Sequence, residues 1–137
     1  MNLPLSITEF SEVERACFHH SIGAEAVDFA SRQTREILTV AYIDHRGRIA
    51  HMFSRTDELH DSVSLSMRMI VHEALSRGHD RFLLLHNHPS GDPQPSRTDI
   101  TTTRLMCRIA AQLELKLVDH LILSPHAYFS FRAAGLL

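Results

Sequence analysis

The segment His86-Asn-His-Pro-Ser-Gly-Asp-Pro-Gln-Pro-Ser-Arg-Thr-Asp99 lies between an apolar stretch and a stretch with helical periodicity. The apolar stretch, RFLLLH over 81–86, is short and follows a predicted helix, which is typical of a central strand. After the segment, apolar residues recur at helical spacing over about 97–113, and Ser96 is placed to cap that helix. The sequence therefore predicts a strand, a loop rich in Pro and Gly over 87–95, and a helix.

Further strands and helices are predicted on both sides of this segment. EILTVAYI over 36–43 is rich in β-branched and apolar residues, and the turn signal at 44–47 predicts a hairpin. In chain order the other predicted elements are a helix over 7–32, strands over 36–43 and 48–53, a helix that Ser62 caps and Gly78 closes, and strands over 117–123 and 128–131. This order predicts a mixed sheet with helices packed on it. Because the chain shows no internal repeat and no long linker, residues 1–137 are predicted to form a single domain.

The composition is that of a soluble globular protein, since 44% of the 137 residues are apolar and 22% are charged. A net charge of −2 argues against a broad electrostatic surface for nucleic acid. No apolar run approaches the roughly 18 residues that a membrane span needs, and the N-terminus lacks the pattern of a secretory signal. We therefore expect a cytoplasmic protein with no membrane partner, in which Cys17 and Cys107 are free thiols.

His86 and His88 are the histidines whose spacing carries information. They stand two apart at the end of a predicted strand, so their side chains leave the same face. Both imidazoles can then reach one ion at about 2.0–2.1 Å, and two imidazoles with one carboxylate and a position left to water are typical of a catalytic zinc site. The alternative is a polar strand end exposed to solvent, and the spacing alone leaves both interpretations open.

Asp99 is the candidate carboxylate ligand. At about 100° per residue it falls in the middle of the inward face of the predicted helix. That face comprises Ile100, Thr103, Met106, Cys107, Ala110 and Leu113. A carboxylate next to a core is costly unless a positive partner meets it, which favours a metal ligand. The alternative is a capping box with Ser96, in which Asp99 supports the start of the helix.

Glu36 is the best candidate for the general base that hydrolysis at a metal centre needs. It stands at the start of the first apolar strand, where its carboxylate would be held near the sheet. A base at this position would take the proton of a zinc-activated water and deliver it to a leaving amine. A strand cap in solvent is the alternative, and the spacing does not choose between the two.

The segment over 86–99 resembles the signature of the JAB/MPN zinc metalloproteases, H-x-H-P-x-G-x-x-x-P-S-x-x-D. The fixed positions are matched by His86, His88, Pro89, Gly91, Pro95, Ser96 and Asp99. Asn87, Ser90, the Val-Asp-His over 118–120, the Tyr-Phe-Ser-Phe over 128–131 and the final Gly-Leu-Leu are similar to the RadC-like branch. The resemblance spans about 36–137. It implies an α/β fold of the MPN/JAB, cytidine-deaminase-like type, in which helices flank a mixed sheet.

The resemblance also implies the residues of the site and their chemistry. It places zinc on His86, His88 and Asp99, assigns Glu36 as general base, and gives Ser96 a role in binding or polarising the substrate carbonyl. It further implies cleavage of amide bonds, with a peptide or an isopeptide-linked protein as substrate.

Asp119 and His120 are adjacent polar residues in a predicted strand. Neighbouring strand residues point to opposite faces, so at most one of the two faces the site. A residue in that position would orient a ligand histidine, and a strand-end or surface pair is the alternative.

With the substrate and the oligomeric state left open, three functions are compatible with these patterns. The first is a zinc-dependent peptidase or isopeptidase. The second is a metal-bound interaction module that does no chemistry. The third is a DNA-processing role in which Arg97, Arg104 and Arg108 contact phosphates from one helix face, and a solvated arginine face is the alternative explanation of that cluster.

Overall fold

One mixed sheet and two helices make up the regular structure of this computed structural model, which describes residues 7–9, 32–56, 62–125 and 127–137. The strands are β1 (Ile7–Glu9), β2 (Ile37–Ile43), β3 (Ile49–Thr56), β4 (Arg81–Asn87), β5 (Lys116–Leu123) and β6 (Ala127–Ser130), and the helices are α1 (Ser62–Arg77) and α2 (Arg97–Gln112). The strand order is β1-β6-β5-β4-β2-β3, with β4 and β5 parallel and the other neighbours antiparallel. The predicted α/β architecture, a mixed sheet flanked by helices, is confirmed.

Strand β4 lies inside the sheet and is buried on both faces. Its residues 82–85 are each 1% exposed or less, which explains why apolar residues follow one another there. The side chains of 82 and 84 belong to a cluster with Ile70 of α1 and Ala110 of α2. Those of 83 and 85 belong to a second cluster on the other face, which includes Leu121 of β5. The strand that leads to the His-x-His segment is therefore anchored on both sides.

Three chain segments meet at the C-terminal end of β4. The parallel pairing of β4 with β5 requires a crossover, and α2 supplies it after the short loop over 88–96. The first turn of α2 therefore starts near the end of β4. Strand β2 runs antiparallel to β4 and pairs Leu38 with His86, so the start of β2 reaches the same edge.

The N-terminal region differs from the sequence prediction. Residues 7–9, expected within a helix over 7–32, form strand β1, which pairs with β6 in the register Ile7↔Phe129. The helix prediction is wrong at these residues because β1 supplies backbone partners to a strand that would otherwise be a sheet edge. Local periodicity cannot reveal such a distant partner. The rest of the predicted helix, residues 10–31, lies outside the described residues, as does Cys17.

The other predicted elements are confirmed, with ends that shift by a few residues. Strand β3 continues to Thr56, beyond the expected end at residue 53, and Ser62, expected as the N-cap, is instead the first residue of α1. Ser96 is the N-cap of α2, as predicted. Cys107 is a free cysteine. Within the described ranges, neither helix combines the length and the apolar character that crossing a membrane requires.

Candidate metal centre

The end of β4 brings the two predicted histidine ligands together. His86 is in the strand, and the backbone N–H of His88 still donates to the carbonyl of Leu123 in β5, at 2.8 Å. The chain therefore stays extended through His88, and the two side chains leave the same face. Their rings meet edge to face with centroids 4.9 Å apart, and both side chains are mostly buried.

Asp99 approaches these histidines from the first turn of α2. Its Oδ2 lies 3.5 Å from His88 Nε2, and its Oδ1 lies 4.0 Å from His86 Nδ1. The Ser96 backbone N–H donates to the same carboxylate at 2.8 Å, while the Asp99 N–H donates to Ser96 Oγ at 2.9 Å. The capping box and the position beside the histidines are therefore compatible, because the capping box holds the carboxylate where it faces them.

Glu36 reaches the same histidines from the residue just before β2. Its Oε2 lies 3.9 Å from His86 Nε2, and its Oε1 lies 4.0 Å from His88 Nε2. Among the described side chains, Glu36, His86 and His88 offer three ligand atoms that all lie within 4.8 Å of one another. The Glu36 side chain is 53% exposed, whereas that of Asp99 is 18% exposed. The two carboxylates therefore differ in their access to solvent.

A backbone carbonyl fixes the orientation of His88. Its Nδ1 lies 2.9 Å from the Asp92 carbonyl oxygen, and because a carbonyl only accepts, Nδ1 carries a proton and Nε2 faces the carboxylates. The hydrogen bond to Asp99 raises the pKa of His88, against the effect of burial. Burial alone would raise the pKa of Asp99, but the hydrogen bonds from His88 and Ser96 hold it well below its ordinary value. His88 and Asp99 form an ion pair when His88 is protonated, and a divalent cation would compete with that proton.

This donor set fits a zinc ion. Two ligand atoms at about 2.0–2.1 Å from a tetrahedral ion lie about 3.3–3.4 Å from each other. His88 Nε2 is close to that spacing, since it lies 3.5 Å from Asp99 Oδ2 and 4.0 Å from Glu36 Oε1. The two carboxylates face different nitrogens of His86, so His86 and Asp99 would share one ion only after that imidazole ring turns. Imidazole and carboxylate are ligands that suit zinc, whereas calcium and magnesium sites are built from oxygen atoms.

His120 lies beside the site, under α2. It is buried, its Nδ1 lies 2.8 Å from Thr103 Oγ1, and its ring stacks on Phe131 with centroids 4.6 Å apart. Its ring centroid is 5.9 Å from that of His86, and within the described part of the chain its Nε2 has no hydrogen-bond partner. Burial, together with the nearby His86, lowers the pKa of His120 to about 3. His120 is therefore neutral at pH 7 and contributes a buried nitrogen next to His86.

Asp119 has a different role from its neighbour. Its Oδ2 accepts a hydrogen bond from Ser130 Oγ at 2.6 Å, and its Oδ1 accepts from the backbone N–H groups of His120 and Arg132 at 2.7 and 2.9 Å. These bonds tie β5 to the end of β6. Of the adjacent pair, His120 lies beside the metal centre, and Asp119 is a buried structural carboxylate instead of the surface or strand-end group considered as an alternative. Thr103, which contacts His120, has no sequence signal beyond its place on the inward face of α2.

The remaining candidate residues lie at the surface. Ser96 is exposed, and its Oγ accepts from the Asp99 N–H, so its own hydroxyl proton can still be donated. Arg97, Arg104 and Arg108 are exposed on α2, as expected for a solvated face.

A mixed α/β sheet with a His-x-His strand end, an aspartate from the following helix and a glutamate just before the neighbouring antiparallel strand defines a domain of the JAB/MPN type. Comparison with known proteins agrees with this class. The sequence model of the RadC-like JAB domain matches residues 17–136, and the chain belongs to that family.

Several proteins named UPF0758 are similar to this chain over most of its length. A UPF0758 protein of Porphyromonas gingivalis is 36% identical over 110 residues, which are 80% of this chain and 48% of that protein. A UPF0758 protein of Trichlorobacter lovleyi is 31% identical over 118 residues, which are 83% of this chain and 51% of that protein. One of Syntrophomonas wolfei is 34% identical over 104 residues, with shares of 75% and 44%. The chain therefore spans about half the length of the curated relatives it matches.

Proposed function

We propose that this domain is a zinc-dependent hydrolase that cleaves amide bonds in peptides or in isopeptide-linked proteins. The observation that carries the proposal is the unequal placing of two carboxylates around one pair of histidines. Asp99 is mostly buried and held by a capping box, and it faces Nδ1 of His86. Glu36 is half-exposed and faces Nε2 of the same ring. A fixed, buried carboxylate suits a metal ligand, whereas an accessible one suits a group that moves protons.

Each residue then has a separate task. His86, His88 and Asp99 would hold the metal, with the Asp92 carbonyl keeping His88 Nε2 directed into the site. A zinc ion held there supplies Lewis acidity and lowers the pKa of a water molecule at the site to about 7. Glu36 takes the proton of the attacking water and returns it to the leaving amine. The oxygen atom of the substrate carbonyl would accept a hydrogen bond from the hydroxyl of Ser96, the exposed serine that caps α2.

The substitution Glu36→Gln separates metal binding from proton transfer. We expect this variant to retain about one zinc ion per chain and to lose turnover by about 10²–10⁴-fold, because only the proton carrier is removed. Zinc is measured by elemental mass spectrometry, and turnover is measured with libraries of peptides and of isopeptide-linked peptide pairs. Full activity in Glu36→Gln would contradict the mechanism. A zinc-loaded wild-type protein that cleaves no member of either library would instead favour a metal-bound interaction module.

A further inference from the structure

Asn87, the residue between the two histidines, is 1% exposed and bonds to the backbone around Glu36. Its Nδ2 donates to the carbonyl oxygens of Gln33 (3.1 Å) and Arg35 (2.7 Å), and its Oδ1 accepts from the N–H of Ile37 at 2.5 Å. The orientation of the carboxamide follows from its partners, because carbonyl oxygens only accept and the backbone N–H only donates. One buried side chain therefore holds three backbone groups that are 50 to 54 residues away in the chain.

These bonds begin where the backbone ladder between β2 and β4 ends. The last pair of that ladder is Leu38 with His86, so Glu36 lies two residues beyond it. The Asn87 side chain continues the contact between the two strands past this point. Its bonds to residues 35 and 37 lie directly on either side of Glu36. The segment that carries the glutamate is thus attached to the strand that carries the histidines.

We propose that Asn87 is a positioning residue, which holds the Glu36 carboxylate beside His86 and His88 by fixing the backbone on both sides of Glu36. The inference rests on the role proposed for Glu36. A long side chain that is 53% exposed has many rotamers, and a loose backbone would multiply the positions of its carboxylate. Proton transfer needs that carboxylate within hydrogen-bond reach, about 2.6–3.2 Å, of the proton it takes.

The histidines do not depend on Asn87 in the same way. His86 belongs to β4 and pairs with both neighbouring strands, opposite Leu38 and Ile122. His88 is held by its own N–H to Leu123 and by its Nδ1 contact with Asp92. Loss of the Asn87 carboxamide should therefore loosen Glu36 and leave the histidines in place.

Hydrogen exchange in the metal-free protein tests the attachment itself. Asn87→Leu removes all three hydrogen bonds and keeps most of the side-chain volume, and Asn87→Ala is the second variant in case leucine disturbs the fold. We expect the amides of 34–37 to exchange about tenfold faster, with β4 and α2 unchanged. Thr39→Val is the matched control, because Thr39 is also 1% exposed in β2 and loses only its hydrogen bond to Ser54. Unchanged exchange at 34–37, or faster exchange throughout β4 and α2 in both Asn87 variants, would overturn the inference.

A cycle of variants loaded with Co²⁺ tests whether Asn87 acts through Glu36. The visible spectrum of the cobalt-loaded protein reports the surroundings of the ion, and we expect Glu36→Gln to shift it. Asn87→Leu should shift the spectrum in the same direction in the wild-type background and add nothing in the Glu36→Gln background, while Thr39→Val has no effect. No shift, or equal shifts in both backgrounds, would overturn the inference. This test uses no substrate, so its result does not depend on turnover. If the wild-type protein cleaved no substrate, that result would count against the proposed function and not against the role of Asn87.

Discussion

Two groups of histidine and carboxylate side chains lie toward opposite ends of the β2–β4 pair. The metal-centre cluster consists of Glu36, His86, His88 and Asp99, and the tyrosine cluster consists of Tyr42, His51, Glu73, Arg77 and His79. The first lies where Leu38 pairs with His86, and the second surrounds Tyr42, which pairs with Phe82. In the metal-centre cluster both carboxylates face imidazole nitrogens at 3.5–4.0 Å. In the tyrosine cluster the Glu73 carboxylate also faces an imidazole, His51 Nε2 at 3.5 Å, but it accepts a hydrogen bond from Arg77 Nε at 2.9 Å as well.

The tyrosine cluster pairs its groups with one another. The ring of Tyr42 stacks with those of His51 and His79, at centroid distances of 6.1 and 5.9 Å, and its hydroxyl donates to the carbonyl of Ile70 at 2.7 Å. The hydrogen bond from Arg77 lowers the pKa of Glu73, so that carboxylate already has a cation. Among the described residues, three ligand atoms come within 4.8 Å of one another in the metal-centre cluster and not in the tyrosine cluster. In the part of the chain that the structure describes, the same residue types thus converge as a metal site requires only in the metal-centre cluster.

The two clusters differ in kind only if no histidine of the tyrosine cluster matters for metal binding. We expect His88→Ala to lower zinc affinity by roughly 100-fold or more, since loss of a residue that merely supports a ligand already costs about 10–100-fold. His51→Ala, the matched control from the tyrosine cluster, should bind zinc as the wild type does. Zinc content and competition with a chelator of known affinity measure both variants. Equal zinc content in His88→Ala and wild type would remove the metal-centre assignment.

Lowering the pH should strongly reduce the free energy of unfolding, because His120 is buried in its neutral form beside the metal-centre cluster. Its pKa is lowered from the ordinary 6.5 to about 3, so below pH 6.5 the unfolded chain takes up a proton that the folded protein does not. The stability that neutral His120 contributes is therefore complete above pH 6.5 and is lost as the pH falls towards 3, by up to about 1.4 kcal/mol per pH unit. His120→Gln should reduce this loss, as measured by urea unfolding of the metal-free protein between pH 4.5 and 7. Parallel pH profiles for the variant and the wild type would contradict the assignment.

His88 contributes to the same profile with the opposite sign. Its pKa is raised chiefly by the hydrogen bond to Asp99, so its contribution is complete below pH 6.5 and is lost as the pH rises through the raised pKa. The difference between the wild-type and His120→Gln profiles of unfolding free energy against pH therefore gives the contribution of His120.

The tyrosine cluster should affect stability and not metal binding. Tyr42→Phe removes the hydroxyl that donates to the Ile70 carbonyl, and we expect the free energy of unfolding to fall by about 1–2 kcal/mol. Zinc content should equal that of the wild type. The two measurements are a denaturant titration and elemental mass spectrometry. A fall in zinc content in a folded Tyr42→Phe protein would show that the two clusters are coupled.

The smallest effect is expected for the arginines on the exposed face of α2, which belong to neither cluster. The double substitution Arg104→Ala and Arg108→Ala should change the free energy of unfolding by less than about 0.5 kcal/mol, because both guanidinium groups are exposed to water. Zinc content should also stay constant. A mobility-shift assay at low salt serves as the second measurement, and DNA binding that disappears in the double variant would revive the DNA-processing interpretation.

Local rules were enough to predict most of the metal-centre cluster. The alternation of a strand predicts that His86 and His88 share a face, and their rings do meet at 4.9 Å. The rotation of a helix predicts that Asp99 points inward, and its carboxylate lies beside both rings. The Ser96–Asp99 capping box was also visible as a pattern and is present. Each of these features depends on residues that lie close together in the chain.

Only the tertiary structure decided what meets these side chains from elsewhere. Several contacts join distant parts of the chain. They are the approach of Glu36 to the histidines, the contact of His120 with Thr103, the three hydrogen bonds of Asn87 and the pairing of residues 7–9 with β6. A residue's own sequence neighbours determine the direction in which its side chain leaves a helix or a strand. They do not determine which segment lies opposite, because that depends on strand order and register, and these are set by burying the faces of the whole sheet together.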